Sequence, residues 1–154
     1  MIRAIIIFLV SILLISSPVR AAETNAADIS GEWIGTWTSL NSPTYNGVIE
    51  MYINNEGNNV DGISVIGNTK CFPERVFKGN LSGKYNNFIE FKLAPVENPE
   101  DSFAENWGAI NRSRNAISVV YSFDKPNSEC YGDVGTMFIS KIQPYSSIQG
   151  ITKK

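Results

Sequence analysis

The sequence predicts an all-β chain: a single antiparallel eight-stranded up-and-down barrel, with a β-sandwich as the alternative, behind an N-terminal leader. Three observations predict it. Apolar and polar residues alternate in segment after segment between residues 31 and 142, and helical periodicity is scarce. The segments are short and separated by turns rich in Gly, Asn, Pro and Ser. Glycines such as Gly35, Gly62, Gly79 and Gly135 sit inside the alternating segments, where a barrel strand has to bend sharply. An open meander of eight strands would leave two unpaired edges, and closure removes both.

Residues 1–21 read as a secretory signal peptide. Arg3 gives the positive start, residues 4–15 form an apolar run interrupted only by Ser11, and Ser16-Ser17-Pro18 ends it. Val19-Arg20-Ala21 then places small residues where a signal peptidase cuts. The run falls short of the roughly 20 apolar residues that a bilayer-spanning helix needs. No cysteine follows it to carry a lipid anchor. The expectation is a periplasmic or secreted protein with no stable membrane insertion after cleavage, divided into a linker at 22–30, a barrel at 31–142 and a tail at 143–154.

The first strand covers 31–40, with Trp33, Gly35 and Trp37 on one face and Ile34, Thr36 and Thr38 on the other. Tryptophans four apart would also suit a helix, but the glycines and threonines between them favour a strand. Residues 47–53 follow, setting Ile49, Met51 and Ile53 against Val48, Glu50 and Tyr52. The Asn/Gly-rich stretch 54–59 is a turn, and 60–66 is the third strand. The fourth, 75–83, carries Phe77, Gly79 and Leu81 on one side, and Tyr85-Asn86-Asn87 turns the chain. In 88–93, Ile89, Phe91 and Leu93 alternate with Glu90 and Lys92, the clearest half-buried strand in the chain. Residues 94–104 form a proline-containing acidic loop. Residues 105–111 and 116–123 make a hairpin whose second strand aligns Ile117, Val119, Tyr121 and Phe123. A loop at 124–129 leads into the last strand, 131–142.

Composition excludes several function classes. The chain has no histidine, which removes Ser-His-Asp and Cys-His machinery and most zinc, copper and haem ligation. Acids gather at Glu97, Glu100, Asp101 and Glu105, and again at Asp124, Glu129 and Asp133, amid the Pro, Asn and Ser of solvated loops. Neither group has the spacing of a calcium loop. The reading is of a non-enzyme with no metal and no cofactor. Of 13 basic and 15 acidic residues, Arg3 and Arg20 fall in the leader, so the remainder has a net charge of −4. No basic face is visible for nucleic acid. Cys71 and Cys130 are expected to form a disulfide, as an even pair does in an oxidising compartment.

Aromatics are what remains. Trp33, Trp37, Tyr52, Trp107 and Tyr121 lie on the expected strands, where they either fill the core or line a ligand cavity. An eight-stranded barrel is about the size at which the interior either just fills or holds one small ligand.

Gly31-Glu32-Trp33 at the head of the first strand resembles the G-x-W signature of the lipocalin and wider calycin group. The glycine-rich run from Gly31 to Trp37 is similar to the first strand of the avidins. The resemblance implies an up-and-down barrel, a tryptophan (Trp33 here) packed near one end, and the binding of small, often apolar molecules. Lipocalins stack a late arginine on that tryptophan; in this chain Lys141 is the nearest cation on the last strand, and residues 117–123 hold no T-D-Y-like motif. The expected function is therefore a non-enzymatic binding barrel for a small apolar ligand. The alternative is an envelope protein-interaction module, such as a hydrolase inhibitor, acting through the 94–104 loop.

Overall fold

The computed structural model describes residues 28–71, 76–86, 88–96, 104–126 and 128–143. The leader at 1–21, most of the 22–30 linker, all but the first residue of the tail and positions 97–103 of the acidic loop lie outside these. Eight strands close into one barrel in sequence order. They are β1 (Gly31–Ser39), β2 (Asn46–Glu56), β3 (Asn59–Ile66), β4 (Phe77–Asn86), β5 (Phe88–Pro95), β6 (Ala104–Ile110), β7 (Ala116–Ser122) and β8 (Val134–Lys141). Every neighbouring pair is antiparallel, and β8 returns to β1 with Trp33 opposite Lys141 and Ser39 opposite Gly135. The barrel, not the sandwich, is the fold.

Alternation along each strand builds the core. Trp33, Trp37, Ile49, Met51, Ile53, Leu81, Ile89, Phe91, Leu93, Ile117, Val119, Tyr121, Met137 and Ile139 all turn inward and pack as one cluster. Each such burial contributes roughly 1.5–3 kcal/mol relative to exposure. A slip of one residue in any ladder would send that strand's inner row into solvent, so the pattern also fixes the register.

The two ends differ. At one end the connections are tight. Gly57-Asn58 alone joins β2 to β3, with Gly57 at a φ of 59° that a side-chain-free residue adopts readily. At the same end, Asn111 Oδ1 accepts the backbone N–H groups of Asn115 (3.0 Å) and Ala116 (3.1 Å), closing the β6–β7 turn. Ile29, fully buried, and Trp33 plug this end, and the Trp33 indole N–H donates to the Ile29 carbonyl at 3.0 Å. Lys141 Nζ stands 6.0 Å from the centroid of the Trp33 ring, the place the calycin resemblance gives to an arginine. The opposite end gathers the four long connections β1–β2, β3–β4, β5–β6 and β7–β8. A disulfide between Cys71 and Cys130, Cα atoms 5.0 Å apart, ties the β3–β4 connection to the β7–β8 connection there.

Most boundaries shift by one or two residues from the sequence reading, and three differ for a visible reason. The 54–59 turn shrinks to two residues because β2 and β3 keep pairing through Glu56 and Asn59. β4 runs on to Asn86, so Tyr85, expected in a turn, faces inward opposite Ile89; it lies two positions beyond Gly83 on the inner row. β8 starts at Val134 instead of 131, because Gly132 at φ 76° and the Asp133 N–H donating to the Cys130 carbonyl form a turn.

Candidate functional site

The five aromatic residues singled out in the sequence do not form one site. Trp33, Trp37 and Tyr121 are inside the barrel, but Trp33 is at the tight-turn end. Tyr52 and Trp107 are on the outer wall, 54% and 42% exposed. Strand parity decides this. Tyr52 lies between the inward Met51 and Ile53, and Trp107 between the inward Asn106 and Gly108. Only Trp37 and Tyr121 meet, edge to face, with ring centroids 6.3 Å apart and planes at 67°. Phe123 continues the cluster, its ring 6.1 Å from that of Tyr121 and at 83° to it.

These rings lie at the loop end, around a buried carboxylate. Asp133 is 3% exposed. The Ser39 hydroxyl donates to its Oδ1 at 2.6 Å, and the Tyr121 hydroxyl donates to its Oδ2 at 3.1 Å. The register explains how both hydroxyls reach it. Gly135 is the cross-strand partner of Tyr121 on one side and of Ser39 on the other. A Cβ at Gly135 would come within 2.5 Å of Tyr121 ring and hydroxyl atoms and 2.1 Å of the Thr38 carbonyl oxygen. The missing side chain leaves the space into which the Tyr121 ring fits. Burial raises the Tyr121 hydroxyl far above its ordinary pKa, and the adjacent negative charge of Asp133 and the hydrogen bond to it push the same way. The phenol is therefore held as a neutral donor.

A cavity of about 30 Å³ opens beside this group, lined chiefly by Trp37, Phe77, Tyr121, Phe123, Met137 and Asp133, with both cysteines at its edge. The Trp37 indole N–H is fixed by the Gly67 carbonyl at 3.1 Å. Drug-sized ligands occupy cavities of roughly 300–1,000 Å³. Among the described residues the interior is thus filled by side chains, with room at the loop end for a small group.

Sequence composition groups Asp133 with Asp124 and Glu129 as solvated loop acids. Those two are exposed, whereas Asp133 is buried. The signal that sets it apart is spacing: Asp133, Gly135, Met137 and Ile139 share one side of the chain. Ser39 carries the same signal, two residues beyond Trp37. Two further buried polar atoms, Ser64 Oγ and Asn106 Oδ1, have no hydrogen-bond partner among the described residues, and neither residue lines the cavity. No group of three or more Cys, Asp or Glu side chains that could hold a metal occurs among the described residues. No helix among them is long and apolar enough to cross a membrane.

The outer wall is asymmetric in charge. Outward positions of β7 and β8 are Ala, Ser, Thr, Val and Phe, and those of β1 are Ile34, Thr36, Thr38 and one charge, Glu32, at the tight-turn end. Phe138 (64% exposed), Val120 and Ile34 stand out from this face. The opposite wall, by contrast, carries Asp61, Lys78, Lys84, Glu90 and Lys92.

No protein-family model matches the chain, and no curated protein matches it in sequence. Its likeness to the lipocalin group is therefore architectural, an eight-stranded antiparallel barrel.

Proposed function

We propose that the chain is an exported, non-enzymatic binding protein that takes one end of a small molecule at the loop end of its barrel. The observation that carries this reading is a buried carboxylate, Asp133, that borders a largely apolar and aromatic cavity with Tyr121 and is held by the hydroxyls of Tyr121 and, from behind, Ser39. A few placed polar groups in an apolar concavity are the usual composition of a ligand site. The filled interior narrows the expected ligand. Among the described residues, a molecule lodged along the barrel axis has no room, whereas a small end group beside Trp37 and Asp133 does. The disulfide holds two of those loops together and so limits the ordering cost of binding. Native mass spectrometry of the protein purified from its own host, followed by tryptophan-emission titration of wild type and Trp37→Phe, tests the proposal. A co-purifying molecule whose signal requires Trp37 is the expected result. No adduct, and no emission change with any of a panel of small amphiphiles, would remove it.

The β7–β8–β1 wall, charged at Glu32 alone among its outward strand positions, favours a second reading, contact with another envelope protein. A photo-reactive residue at position 138 should then yield one defined adduct in the envelope, and the same probe at position 84 should yield none. Equal labelling from both positions would count against it.

A further inference from the structure

We infer that the group received beside Asp133 is a primary ammonium, so that the ligand of this site is an amine that enters with its –NH3+ end foremost. The inference rests on the ligand reading given above and adds the chemistry of the bound end.

Charge is the first reason. A buried carboxylate is costly unless hydrogen bonds and a positive partner compensate it. Asp133 is 3% exposed and its two oxygens accept from two neutral hydroxyls. No Lys or Arg of the described residues lies within 4.0 Å of it; the one ion pair between described residues joins Lys92 to Glu105 at 3.8 Å, on the outer wall. Among the described residues, then, the negative charge is fixed in position and has no cation within 4.0 Å.

The lining is the second reason. Trp37, Phe77, Tyr121 and Phe123 border the same cavity as Asp133. Aromatic faces attract cations, and the attraction grows as water is excluded. An anion would meet the carboxylate's repulsion, and a neutral alcohol would gain nothing from its charge. Calcium or magnesium needs about six or more oxygen ligands, and the side chains of this lining offer one carboxylate and the hydroxyls of Tyr121 and Thr69.

Size and valence select the kind of cation. A cavity of about 30 Å³ exceeds the roughly 10–15 Å³ that one water requires. An aminomethyl end fits that space, and a trimethylated ammonium does not. A primary ammonium brings three N–H donors, and a carboxylate with about four acceptor positions keeps two open after Ser39 and Tyr121 are served. Those two hydroxyls hold the carboxylate still, which lowers the cost of capturing the donor.

The test uses the mature, oxidised protein at pH 7 and follows the Trp37 indole N–H resonance. It is titrated with n-butylammonium, its neutral counterpart 1-butanol, and tetramethylammonium. The expected result is saturable movement with n-butylammonium at an affinity roughly tenfold or more above that of 1-butanol, the range of a hydrogen bond to a charged group. Tetramethylammonium should be weaker by a similar factor. Asp133→Asn, its fold checked by spectral dispersion, should bring n-butylammonium down to the level of 1-butanol. Should that variant not fold, the wild-type comparison of the two butyl probes decides by itself. Equal binding of n-butylammonium and 1-butanol would overturn the ammonium assignment and leave the loop-end site standing. No response to any of the three would remove both.

Discussion

Replacing Tyr121 by Phe takes a single oxygen out of the interior and leaves the ring that packs on Trp37 and Phe123, so it isolates the bond to Asp133. That bond spans 3.1 Å between a buried phenol and a buried carboxylate. Hydrogen bonds to charged groups contribute about 1.5–3 kcal/mol. The Ser39 hydroxyl, at 2.6 Å, stays in place and keeps Asp133 from losing every partner. A loss of about 2 kcal/mol is therefore expected at pH 7. With an unfolding entropy of about 2.1 cal/mol/K per residue and a domain of about 110 residues, this lowers Tm by about 9 °C. The pH dependence gives a second reading of the same bond. Burial and the Asp133 charge raise the folded-state pKa of Tyr121 above its ordinary value of 10.0. Folding thus favours the protonated phenol, and this contribution is complete below pH 10 and is lost progressively as the pH climbs above it. Phe has no proton to release. The wild-type advantage should accordingly shrink as the pH is raised beyond about 10. Calorimetric melts of both proteins between pH 7 and 11 make the comparison, in which lysine titration is common to the two and cancels. Equal Tm at pH 7, or a gap of constant size across that range, would refute the reasoning.

Four further outcomes are expected. Gly135→Ala places a methyl against the Thr38 carbonyl and the Tyr121 ring; overpacking of this kind costs about 1–3 kcal/mol, read as a lower denaturant midpoint. Replacing Cys71 and Cys130 together by Ser removes a cross-link over 59 residues of chain; the loop-closure term is about 4 kcal/mol, checked by urea unfolding beside the reduced wild type. Trp33→Ala leaves a hole at the tight-turn end and strands the Ile29 carbonyl; the expected loss is about 3–5 kcal/mol, measured by thermal melts. Tyr52→Ala and Trp107→Ala stay within about 1 kcal/mol of wild type, and both leave the Trp37 resonance shift with n-butylammonium unchanged, because their side chains face solvent.

Much of the fold was legible because strand alternation is a local property. The rows Ile89–Phe91–Leu93 and Ile117–Val119–Tyr121 show their inner face within a few residues, and eight such rows imply closure once exposed edges are counted as a cost. Strand ends were less legible. Tyr85 and Asn86 have turn composition, yet pairing with β5 holds them in the ladder, a constraint supplied by residues on another strand. The site was partly legible. Trp37 and Tyr121 combine an aromatic ring with an inner-row position, whereas Tyr52 and Trp107 share the residue type but their parity sends them outward.

The all-β architecture, the inward rows and the Cys71–Cys130 bond are written along the chain, since period-two patterning and an even cysteine pair are local or countable properties. Only the tertiary structure decided that the barrel is filled instead of hollow, and that Asp133 is a buried acceptor and not a solvated loop acid. Both depend on which side chains meet across the barrel, above all on Gly135 leaving the gap between Tyr121 and Ser39. Volume and burial are sums over residues far apart in sequence, and no local pattern carries them.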